Sequence, residues 1–158
     1  MYRVQDNFVA QFGDAPGEDA GKRKPLGAAD VTLPAEFEVA TASVRFAALP
    51  DADGWSDAAG FVDGFAAAGD NRTGTTGMPH CDGMLGAGRN NAPDSSIGAE
   101  LYVVTGQSPR QLDRNITVVG RVIRGMELLS AIRRGPPPMG FHEDPAQRTP
   151  IAAITLAS

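Results

Sequence analysis

The side chains able to do covalent or metal chemistry are few and scattered. Two histidines, His80 and His142, and one cysteine, Cys81, are all that the sequence holds. A closed tetrahedral metal site needs four donors, and His80 with its neighbour Cys81 supplies two. A His-rich site and a cysteine-based zinc site are therefore excluded. Isolated histidines of this kind are ordinarily structural groups satisfied by hydrogen bonds. A Ser/His/Asp triad survives counting, but the Gly-x-Ser-x-Gly turn that exposes a nucleophilic serine is missing. Gly86-Ala87-Gly88-Arg89-Asn90-Asn91 begins like a dinucleotide-binding fingerprint, yet it lacks the third glycine and the βαβ setting. The triplets at 71–73 and 115–117 fit the glycosylation acceptor pattern, which is frequent by chance.

These residues sit in a chain of 158 residues with 42% apolar content, enough for one domain with a real core. Lys and Arg number 14 against 19 Asp and Glu, a formal charge of −5. That balance argues against a nucleic-acid partner, which needs a basic face to neutralise phosphates. Lys22-Arg23-Lys24 is one short basic run, and such runs are ordinarily solvated loops. No apolar stretch approaches the roughly twenty residues that span a bilayer, so membrane insertion is not expected. The first residues lack the apolar segment of a signal peptide.

The elements that must position any site are mostly strands. Residues 8–12 form a short apolar run ended by a Gly/Pro-rich turn, and 15–30 read as a charged surface loop. Residues 31–33, 37–39 and 43–46 are strand candidates with partial alternation. From 47 to 79 the pattern loosens around isolated apolar residues. Residues 83–88 are small and apolar, where backbone must come close to something. Residues 101–105 and 117–123 are continuous β-prone runs, with Gly120 a candidate bulge. One helix is expected over 125–134, with Met126, Leu129 and Ile132 as an apolar stripe that Leu128 and Ala131 broaden. Arg133 and Arg134 suit its negative end, and Gly135-Pro136 stops it. A last strand is expected over 151–156.

Four blocks, taken in order, give this chain a relative. Residues 2–14, with an Arg, then Phe-apolar-x-Gln-x-Gly-Asp, resemble the cyclophilin signature. Residues 83–89 are similar to that family's glycine-rich strand, and 99–104 to its Ser-Gln-Phe-Phe-Ile strand. Leu112-Asp113 with 117–126 is similar to its Leu-Asp-Gly…Val-Phe-Gly-x-Val-x-x-Gly-Met block. The resemblance covers most of a single domain, 1–158, except 44–79, which look like an insertion loop. It implies a mainly β fold, an antiparallel barrel with one clear helix near the C-terminus. The family's first two strands and first helix precede the arginine that here is residue 3. The barrel is therefore expected to be incomplete at the N-terminus, leaving unpaired edges.

The resemblance also implies a chemistry, peptidyl-prolyl cis-trans isomerisation of Pro-containing polypeptides, without a cofactor. Rotation about X–Pro is slow because the C–N bond has partial double-bond character, with a barrier of about 18–20 kcal/mol. The catalyst must bind the twisted amide better than the planar one. Arg3 matches the family arginine that donates to the substrate, and Gln11 its partner in placing the carbonyl. Phe8, Val9, Tyr102 and Leu112 match the lining of the proline slot. Gly88 and the backbone of Arg89 match the strand that pairs with the substrate. Four side chains depart from the family pattern: Glu100 for glutamine, Tyr102 for phenylalanine, Gln111 for an aromatic and Ile116 for histidine. A module that binds Pro-containing peptides without turning them over is the alternative.

Overall fold

The computed structural model describes residues 1–14, 25, 27–30, 32, 34–51, 53–96 and 98–157. Two short strands open the chain, β1 (Arg3–Val4) and β2 (Val9–Gly13). Then come β3 (Val39–Ala40), β4 (Ala47–Ala48), β5 (Ala58–Val62), β6 (Phe65–Asp70) and β7 (Thr75–Gly77). β8 (Met84–Ala87), β9 (Glu100–Val104), β10 (Val118–Arg121) and the helix α1 (Met126–Ala131) complete the order. The strands form two antiparallel sheets, β1-β2-β9-β8-β10 and β3-β7-β6-β5-β4.

The first sheet is buried on both faces, and its period-two alternation decides which residues go where. Val4, Ala10, Phe12 and Val103 turn to one face, where Leu129 of α1 packs with Met126 and Ile132 beside it. Val9, Met84, Tyr102, Val104 and Val118 turn to the other, joined by the partly buried Phe8, Phe65, Cys81 and Ile116. Phe65 comes from β6, so one ring of the second sheet packs against this cluster. At Gly120 the register of β10 against β8 shifts, the bulge that the glycine suggests.

Several expectations are corrected. Residues 44–79, expected as a loop, hold β4, β5, β6 and β7. Their small residues carry backbone pairing without an alternating apolar pattern. The candidate strands at 37–39 and 43–46 shrink to Val39–Ala40 and a 3-10 turn over Thr41–Ser43. The candidate at 31–33 lies largely outside the described residues, as does most of the loop at 15–30. The helix is six residues, shorter than 125–134, and Leu128 is exposed rather than part of its stripe. Arg134 does cover its end, donating through Nη1 to the carbonyls of Ser130 (3.1 Å) and Ile132 (2.7 Å).

The helix stops early because the chain must return to β1. Gly135 N–H donates to Val4 O (2.9 Å), Val4 N–H to Gly140 O (2.8 Å), and His142 N–H to Tyr2 O (2.7 Å). A Cβ on Gly140 would lie 2.6 Å from Val4 O, and its φ of 73° is left-handed, so only glycine fits this approach. The open edge expected at β1 is thus covered by residues 135–142. Residues 151–156 form no strand. That edge is already occupied, and Ile154 and Leu156 stand 65% and 97% exposed.

Candidate functional site

Antiparallel register brings the site together. Arg3 lies opposite Gln11, Gln11 opposite Tyr102, and Tyr102 opposite Gly86. Three strands therefore present one row of side chains on one face, and Gly86 on the fourth leaves space beside it, with Val9 opposite Val104 one pleat away.

Arg3 is half-buried and held from several sides. Its Nε donates to Met139 O (2.8 Å), Nη2 to Gln5 Oε1 (2.8 Å) and Nη1 to Gln11 Oε1 (3.4 Å). The guanidinium lies 5.3 Å from the Phe8 ring centroid and 4.9 Å from that of Phe141. A planar cation in contact with two aromatic rings and three acceptors is fixed in orientation as well as in place. Among the described residues, three of its five N–H groups have protein acceptors, which leaves two for a ligand. Burial lowers its pKa, and the neighbouring Tyr2 opposes that shift. A guanidinium stays protonated through a shift in this direction.

Gln11 accepts from Arg3 through Oε1, which turns its amide nitrogen the other way, toward the position of Gly88. A Cβ on Gly88 would sit 3.5 Å from Gln11 Nε2 and 3.1 Å from the Glu100 side chain. The Gly88 N–H is taken by Glu100 O at 2.6 Å. Glu100 also accepts from the Tyr2 hydroxyl at 3.3 Å. Burial raises the Tyr2 pKa, and the charge of Glu100 adds to it.

The proposed slot residues divide. Phe8, Val9, Tyr102 and Ile116 share one cluster. Leu112 is only half-buried, ends a 3-10 turn over Ser108–Leu112, and meets Ile116 through the backbone, Ile116 N–H to Leu112 O at 3.2 Å. Gln111 is exposed. Arg89 uses its side chain locally, donating to Asn115 O (3.0 Å), Asn115 Oδ1 (2.5 Å) and Asn90 O (2.7 Å). It thereby fastens the turn after β8 to the segment that carries Ile116.

Sequence reasoning missed the residues that hold Arg3. Gln5 had a usable signal, since it stands two residues on and so on the same side of an extended chain. Phe141 and Met139 had none, being more than 130 positions away. It also missed what surrounds His80. That residue is a satisfied structural histidine, as expected, yet its partners are Asp113 and Tyr102.

Comparison with known proteins adds to this geometry. The sequence matches the family described as cyclophilin type peptidyl-prolyl cis-trans isomerase/CLD over residues 1–156. Among solved structures it is similar to cyclophilin AquaCyp293 from Hirschia baltica, with 25% identity and a TM-score of 0.68. That similarity covers 87% of this chain and 53% of the other, so the chain spans about half of that relative's length. No curated protein matches the sequence.

Proposed function

Since the chain belongs to the cyclophilin-type peptidyl-prolyl cis-trans isomerase family, we propose that it catalyses rotation about X–Pro bonds in Pro-containing polypeptides. The observation that carries this reading is the row Arg3–Gln11–Tyr102, with Arg3 in contact with the Phe8 and Phe141 rings. The two free N–H groups of Arg3 donate to the substrate. As the amide twists, conjugation is lost and the prolyl nitrogen gains a lone pair, which a fixed cationic donor stabilises more than it does the planar amide. Gln11, its carbonyl occupied by Arg3, offers its NH2 group to the substrate carbonyl. Phe8, Val9, Tyr102, Leu112 and Ile116 receive the pyrrolidine ring. The backbone at Gly88 and Arg89 lies along the segment before proline, with Glu100 behind it.

Exchange NMR on a short Ala-Pro-Phe peptide tests the reading. The protein is expected to speed cis/trans exchange, and Arg3→Ala to remove at least about 90% of that gain, in line with the loss of one preorganised donor. Because Arg3 is only half-buried and lies outside the apolar clusters, the variant should remain folded by near-UV circular dichroism. Saturable peptide binding without faster exchange would instead establish a peptide-binding module.

A further inference from the structure

Behind the row of site residues runs a hydrogen-bonded chain that the isomerase reading leaves without a role. Asp113 accepts from His80 twice through Oδ1, from the backbone N–H (2.6 Å) and from Nδ1 (3.1 Å). Its Oδ2 accepts from Arg110 Nε at 2.6 Å, and Arg110 in turn pairs with Asp53 at 2.8 Å. Burial pushes the Asp113 carboxyl up, but the hydrogen bonds from His80 and Arg110 outweigh it and hold it below the ordinary range.

A carboxylate only accepts, so Nδ1 of His80 carries a hydrogen, and in the neutral ring Nε2 presents a lone pair. Tyr102 Oη lies 2.7 Å from Nε2 and therefore donates to it. His80 is fully buried at 0% exposure, and Tyr102 keeps a small open surface at 4%. Gly86 completes the arrangement from the other side. A Cβ there would lie 2.2 Å from Tyr102 Cζ, so the ring occupies the space that a side chain would fill. Tyr102 is thus placed twice over, by the missing Cβ of Gly86 and by the acceptor on His80.

We propose that His80 is a positioning residue for the proline slot. Through Nε2 it holds the Tyr102 ring down against Gly86, so the ring forms the floor of the slot rather than standing in it. His80 thereby sets the depth open to the substrate's pyrrolidine ring. Asp113 acts one step further back by fixing the His80 tautomer. The inference rests on the isomerase-site reading above and adds a determinant of specificity: released from His80, the Tyr102 ring would narrow the slot and penalise substituted prolines first.

The test compares kcat/KM for the Ala-Pro-Phe peptide with that for the same peptide carrying 4-methylproline. Their ratio does not depend on how much enzyme is active, so a merely destabilised variant leaves it unchanged. His80→Leu removes the acceptor and Tyr102→Phe removes the donor. Each should shift the ratio roughly fivefold against the methylated ring, the scale of one lost hydrogen bond at a pocket wall. His80→Gln can accept from Tyr102 through Oε1 and donate to Asp113 through Nε2, and should keep the wild-type ratio. An unchanged ratio in His80→Leu and Tyr102→Phe, or a loss in His80→Gln equal to that in His80→Leu, overturns the proposal. Two-bond 1H–15N correlations on the wild type provide a check that needs no peptide. An Nε2–H tautomer at His80 would also overturn it. If the protein binds both peptides without turnover, the isomerase reading fails, and the same ratio taken from dissociation constants still decides the role of His80.

Discussion

The two sheets have five antiparallel strands each, but they bury very different material. In the first, Val4, Val9, Ala10, Phe12, Val103 and Val104 are all under 10% exposed, and both faces are covered. In the second, the buried positions are the small residues Gly60, Ala67, Gly69 and Thr76, while Val39 and Phe61 stand 50% and 44% exposed. Burial stabilises by about 25 cal/mol per Å² of apolar surface, so alanine and glycine add little. The second sheet is fastened instead at its border with the first. Arg110 pairs with Asp53, Arg114 with Asp70, and Arg121 donates to Gly64 O while lying 5.1 Å from the Phe65 ring centroid. The row of candidate site residues is therefore carried by the sheet with the larger apolar core, and the other sheet is docked to it by charge and by the Phe65 ring.

The sharpest way to break this comparison is to cut the core of the first sheet. Met84 is 3% exposed and packs with Val9, Tyr102, Val104 and Val118. Met84→Ala should cost about 2–5 kcal/mol in urea denaturation, through lost transfer energy and the cavity left behind. A loss below about 1 kcal/mol would mean that this face is less well packed than the contacts imply.

A smaller effect comes from the charged border. Burial raises the Asp53 carboxyl, but Arg110, the Trp55 N–H and Ser56 together hold it down to about 2. Asp113 is lowered as well. Both folded values lie below the unfolded one near 3.8, so the stability they contribute is complete above about pH 4 and is lost as pH falls toward 2. Hydrogen exchange should therefore show protection at β5, β6 and β7 falling over that window, while β2 and β9 keep theirs. Simultaneous loss in both sheets would contradict the picture of a docked second sheet.

What could be read from the sequence follows the same division. Residues 101–104 and the stripe Met126, Leu129, Ile132 announce themselves because their apolar side chains recur with the period of the element that buries them. The second sheet has no such signal, since Ala58-Ala59-Gly60 and Ala66-Ala67-Ala68-Gly69 alternate nothing. Its one local clue was Asp63-Gly64, both at positive φ between Val62 and Phe65, a two-residue hairpin turn. Residues 151–156 mislead in the opposite sense, because an apolar β-prone run shows the ability to pair but not the presence of a partner. For the site, Arg3 and Gln11 could be read from one contiguous block, whereas the Phe141 clamp and the His80–Asp113 pair depend on contacts 138 and 33 residues apart.

The smallest expected effect sharpens the comparison from the other side. Phe61 lies on β5 opposite Ala66, with nearly half of its surface in water. In the first sheet a phenylalanine such as Phe12, 8% exposed, could not be removed without leaving a cavity. Phe61→Thr keeps a β-favouring side chain, exposes no new core and leaves every strand pair its backbone hydrogen bonds. Its cost should stay within about 0.5 kcal/mol, the ordinary range for a surface site, and peptide exchange at the Arg3 row should be unchanged. Thermal denaturation of the variant beside the wild type reads this directly. A loss of 2 kcal/mol or more, near the range of a buried aromatic, would show that the outer face of the second sheet is covered in solution, and the contrast between the two sheets would then have to be withdrawn.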